Sequence, residues 1–140
     1  MSARAHPHAE ARRIALDILF QADVRGEKIT DAVADWLGDQ REVPEFASEL
    51  VLGVATHLEE LDKLIGEYAV EWTVARMAVV DRNILRLAVY ELLHRPDVPP
   101  SAAINEAVVA AKELSTEDSG RFVNGILGRI ARDRSEGAES

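Results

Sequence analysis

The sequence predicts an all-α fold in a single domain. Apolar residues recur every three or four positions along most of the chain, proline and glycine fall between these runs, and no stretch alternates as a strand does. Of 140 residues, 47% are hydrophobic and only 5% aromatic. Ala, Leu, Val and Ile supply most of the apolar content, a composition that favours helices. The length suits one domain over 1–140.

Residues 1–8, with Pro7 and two histidines, read as a flexible N-terminal arm. Ala11, Ile14, Ala15, Ile18, Leu19 and Ala22 then mark a helix from Glu10 to about Val24, stopped by Gly26. Thr30 is the expected cap of a short second helix carrying Val33, Trp36 and Leu37, which ends at Gly38. Pro44 to Tyr68 is helical, as one helix or two, with Gly53 marking a break or a close contact. Trp72 to Met77 is a linker.

Val79 to Arg95 is apolar around most of its circumference and belongs in the core. Prolines 96, 99 and 100 end it. Ser101 to Leu114 forms the next helix. Ser115 to Asp118 has capping-box spacing, with Asp118 either closing the box or capping the last helix itself. Asn124-Gly125 lies inside a helical period, and Gly125 and Gly128 share a face open to close helix approach. Residues 135–140 are expected to fray. The expectation is a compact domain of about seven helices.

The chain has no cysteine, which excludes disulfides, thiolate metal sites and cysteine nucleophiles. No signal-peptide core precedes the first helix and no apolar run spans a membrane, so the expected location is cytoplasmic. The net charge of −9 argues against a general nucleic-acid binder. Residues 27–71 hold twelve acids and three bases, whereas 1–26 and 72–134 are each slightly basic. A small RNA site on those flanks is compatible with this pattern; a broad basic face is not.

No motif supports catalysis. There is no phosphate loop, no His/Asp/Glu spacing typical of metal ligands and no nucleophile elbow, so neither cofactor nor metal is expected. His6 and His8 would bind metal only weakly. Glu91, within an apolar helix, reads as a structural carboxylate with a hydrogen-bond partner. His94 fits the favourable C-terminal end of its helix.

Three ordered motifs carry a family resemblance. They are Val80-Asp81-Arg82-Asn83-Ile84-Leu85-Arg86-Leu87-Ala88-Val89-Tyr90-Glu91-Leu92-Leu93, Ile104-Asn105-Glu106-Ala107-Val108 with Ala111-Lys112, and Glu117-Asp118-Ser119-Gly120-Arg121-Phe122-Val123-Asn124-Gly125-Ile126-Leu127. Together they resemble the NusB family of transcription antitermination factors. The resemblance implies two perpendicular three-helix bundles. It also implies a heterodimer with NusE, a protein shared with the small ribosomal subunit. That pair binds the boxA element of ribosomal-RNA leader transcripts and helps RNA polymerase avoid premature termination, without enzymatic activity.

By the same resemblance, Arg12, Arg13, Phe20, Asp118, Ser119 and Phe122 fall at RNA-binding positions, and Asp81 and Arg82 at the NusE surface. Where relatives carry consecutive arginines before the first helix, this chain reads His8-Ala9-Glu10-Ala11. Each missing phosphate contact weakens binding and flattens its salt dependence. Read from the residues alone, Arg12 and Arg13 are solvated helix residues, Phe20 and Phe122 are core, and Asp118 is a cap. The alternative to the adaptor is a helical interaction module that self-associates as a homodimer and has little RNA binding of its own.

Overall fold

The computed structural model describes residues 8–70 and 72–139. Helix α1 (Ala9–Arg25) buries Ala11, Ala15, Leu16, Ile18, Leu19 and Ala22. It stops where Gly26, at φ 65°, turns into the left-handed region that suits glycine. Helix α2 (Ile29–Gly38) follows. Its N-cap is Lys28, with no side-chain bond, so Thr30 lies inside the helix instead of capping it.

Pro44 to Tyr68 folds as two helices, α3 (Glu45–Thr56) and α4 (Leu58–Tyr68). The break falls at His57, not Gly53. Gly53 is instead a close contact: an added Cβ would lie 2.1 Å from the Tyr90 ring. A 3-10 turn (Val74–Arg76) leads into α5 (Val79–His94). Then come α6 (Pro100–Leu114) and α7 (Glu117–Glu139).

Helix α7 runs through 135–139, the stretch expected to fray. Its N-cap hydrogen bond comes from neither predicted arrangement. Ser119 N–H donates to Thr116 Oγ1 at 2.9 Å, so Thr116 serves as the cap residue and Asp118 is the second residue of the helix, in its first turn. Gly125 and Gly128 meet no neighbouring element within 4 Å, so they are not a helix-approach face.

Helices α1, α2 and α3 pack on one another, and so do α5, α6 and α7, giving two three-helix groups. Helix α5 touches α1 and α3 of the first group, while α4 rests on α5 and α7. The core that joins the groups includes Leu19, Leu50, Val51, Leu85, Val89 and Ile126, all buried. This explains why α5 is apolar on most sides: it has neighbours on most sides. No described helix is long and apolar enough to cross a membrane.

Candidate RNA and partner interface

Two hollows flank the start of α5 and the α6–α7 turn. The first, about 180 Å³, is lined by Leu16, Asp17, Phe20, Val80 and Leu114. The second, about 450 Å³, is lined by Trp72, Arg76, Met77, Ala78, Asp81, Asp118, Ser119 and Phe122. Val80 and Asp81 sit side by side in α5, so the two hollows are neighbours along one strip of surface. Phe20 is 40% exposed and Trp72 51% exposed, whereas Phe122 is half-buried against the core. The strip therefore offers aromatic faces on both sides of the turn.

The α7 start is held by a short hydrogen-bond relay. Ser119 Oγ donates to Asp81 Oδ2 at 3.0 Å, and Ser115 Oγ lies 2.9 Å from the same hydroxyl. Ser119 is buried and its hydroxyl is already engaged, so the structure uses it to position Asp81 instead of presenting it outward. Asp81 is only 9% exposed, and its Oδ1 is buried with no hydrogen-bond partner among the described residues. A buried carboxylate oxygen left without a donor is costly. Asp81 as a residue lines the larger hollow, so a group bound there lies beside this carboxylate.

Asp118 is exposed and pairs with Arg121 on the next turn. It is neither the cap of α7 nor part of a capping box. Arg13 is half-exposed and donates to Glu113 Oε1 at 2.6 Å.

Two arginines depart from the sequence expectation. Arg12 is 8% exposed, and its guanidinium donates to both carboxylate oxygens of Glu91 at 2.8 to 3.1 Å. It is a buried structural pair and not a free phosphate contact. Glu91 accordingly has the structural partner expected of it. Arg82 donates to Asp23 at 2.5 and 2.7 Å and to the Ala75 carbonyl at 3.1 Å, so it ties α5 to α1 and to the 3-10 turn instead of facing a partner.

Asp23 also accepts from Asn83 at 2.8 Å and from Arg86 at 3.2 Å. Burial alone pushes the Asp23 carboxyl up. Hydrogen bonds from Arg82 and Asn83, with the charges of Arg82 and Arg86, overcome this and hold it below its ordinary value of 3.8. The cluster fixes the start of α5, and with it Asp81.

Sequence reasoning missed Trp72, Arg76 and Arg121. Trp72 and Arg76 lie in the segment read only as a linker. The available signal was a tryptophan outside every periodic run, where no core position accounts for it. The arm 1–7 lies outside the described residues, but His8 is held, stacked on Phe46 with ring centroids 3.8 Å apart.

Comparisons with known proteins agree with this architecture. The NusB family model matches residues 9–132. The transcription antitermination protein NusB of Symbiobacterium thermophilum is 52% identical over 134 residues, covering 88% of each chain. That of Salinispora arenicola is 48% identical over 127 residues, covering 87% of this chain and 93% of the relative. The solved structure of T. maritima NusB superposes with a TM-score of 0.81 at 39% identity, covering 92% of this chain and 93% of that one. A chain from a crystal structure of the antitermination factors NusB and NusE with dsRNA superposes at 0.79 with 29% identity, covering 90% and 96%. Matched along nearly its whole described length in sequence and in fold, the chain belongs to the NusB family of transcription antitermination factors, which are not enzymes.

Proposed function

We propose that this protein acts in the cytoplasm as a heterodimer with NusE. The pair binds the single-stranded boxA element of ribosomal-RNA leader transcripts and helps RNA polymerase pass early termination sites. The observation that carries this reading is the strip across the α5 start and the α6–α7 turn. It combines Phe20, Trp72 and Phe122 with Arg76 and Arg121 beside these hollows, and Arg13 is tied to Glu113, the neighbour of Leu114 in the smaller one. Unpaired bases stack on aromatic faces, and arginine forks onto phosphate. The solved complex of NusB and NusE with dsRNA, whose NusB-like chain shares this fold, supports the NusE partnership and the contact with RNA.

Within this reading Arg13, Phe20, Asp118 and Phe122 meet RNA. Ser119 sets the relay behind them, and Arg12 and Arg82 hold the scaffold. Asp81 Oδ1 awaits a hydrogen-bond donor from NusE. The net charge of −9 keeps non-specific RNA binding weak, so NusE supplies much of the phosphate contact.

One observation favours the second reading. Phe20, Val70, Trp72 and Leu114 are exposed apolar side chains on this part of the surface, which suits a protein-docking or homodimer face with little RNA contact. Titrating labelled boxA RNA with and without NusE at several salt concentrations separates the two. The adaptor predicts salt-sensitive binding that tightens with NusE. No specific binding even with NusE leaves the interaction module.

A further inference from the structure

At the opposite end of α5 from Asp81, three side chains from two places in the chain converge. His57 occupies the corner between α3 and α4, Glu60 the first turn of α4, and His94 the last position of α5. His57 Nδ1 lies 3.2 Å and His94 Nε2 3.0 Å from the same Glu60 Oε1. One ligand atom from each of the three lies within 4.8 Å of the others. The two imidazole rings stack with centroids 3.9 Å apart.

The geometry points to a surface site for a zinc-class divalent cation, held by His57, Glu60 and His94. Imidazole nitrogen and carboxylate oxygen are ordinary zinc donors at about 2.0–2.2 Å, which puts neighbouring donors of a tetrahedral site roughly 3.4 Å apart. The two nitrogen–oxygen distances here are already near that value. Each ring nitrogen that now faces the Glu60 carboxylate would meet the metal through its lone pair. Ligation asks the two rings, now 20° from parallel, to splay so that both lone pairs converge. This is a side-chain motion, and Glu60 is exposed while both histidines are half-exposed, so an ion can enter and the fourth position stays open to water.

The rest of the structure prepares the cluster. Tyr90 seats its ring over Gly53, where any side chain would collide with it. The ring lies 5.4 Å from that of His94 and 6.0 Å from that of His57. Arg95, next to His94, donates to Glu49 in α3 at 2.8 Å and to Asp97 at 2.9 to 3.0 Å, fixing the end of α5. A bound ion would thus clamp the α3–α4 corner to the end of α5.

The test uses the full chain without an affinity tag, stripped with chelator and titrated calorimetrically with Zn²⁺. Co²⁺ absorption provides the spectroscopic readout. One saturable site per chain is expected, with the intense visible bands of tetrahedral cobalt. His94→Gln and His57→Gln, both at half-exposed positions, should weaken it by more than about 100-fold, and Glu60→Gln by at least about tenfold. Zn²⁺ should raise the Tm of the parent chain and not that of His94→Gln. The double variant His6→Ala/His8→Ala should bind as the parent does. Absence of a saturable site, unchanged affinity in His94→Gln, or loss confined to the His6/His8 variant would overturn the assignment.

Discussion

Arg12 and Glu91 face each other across α1 and α5, nearly out of reach of water. Removing one partner of such a pair takes the counter-ion from a buried charge, which costs about 3–5 kcal/mol. Glu91→Ala should therefore lower the urea midpoint sharply, with little change in slope. Asp118 is the contrasting case. Its carboxylate is exposed and holds Arg121, so Asp118→Asn should leave the Tm within a degree or two while freeing a cation for phosphate. Tighter boxA binding, severalfold at low salt, is the expected result, and a well-folded variant that binds more weakly would contradict it.

Asp23 gives the molecule a defined acid response. Its folded pKa is depressed, so its contribution is complete above the unfolded value, near 3.8, and is lost as pH falls through the lower folded value. Asp23→Asn should remove about 2 kcal/mol at neutral pH, the worth of charged hydrogen bonds. It should also flatten the dependence of stability on pH below 4. Chemical denaturation from pH 7 to pH 2.5 measures both.

At the level of elements, the helices were legible because amphipathic period and proline or glycine stops agree along most of the chain. What periodicity left open was which polar groups turn inward. Arg12 stands four residues before Leu16 and seven before Leu19, both buried, so its face was in principle visible; its charge argued the other way until Glu91 appeared opposite. The break at His57 lacks any glycine or proline signal. The cluster of His57, Glu60 and His94 was invisible to spacing because 34 residues separate Glu60 from His94. Two element-scale outcomes follow. Thr116→Ala should cost about 1 kcal/mol by uncapping α7. Gly53→Ala should cost about 1–3 kcal/mol by driving Tyr90 from its seat between α3 and α5, and thermal unfolding compares the two.

Across the whole molecule, charge and shape are segregated. The acidic stretch 27–71 contains α2, α3 and α4, while the aromatic strip is built from α1, the 3-10 turn, α5 and the α6–α7 turn. The stretch 27–71, with twelve acids and three bases, disfavours an anionic ligand more than the slightly basic flanks do. The packing of α5 against both helix groups sets an aromatic platform beside a buried carboxylate on one surface. In the proposed function, NusE and RNA both meet this strip. The most direct measurement is the change in backbone amide NMR shifts when NusE, and then boxA RNA, are added to the labelled chain. Perturbations concentrated at residues 13–20, 72–82 and 114–122, with α2 and α4 quiet, are expected; shifts centred on α2–α4, with the α6–α7 turn unchanged, would rule out this strip as the shared interface.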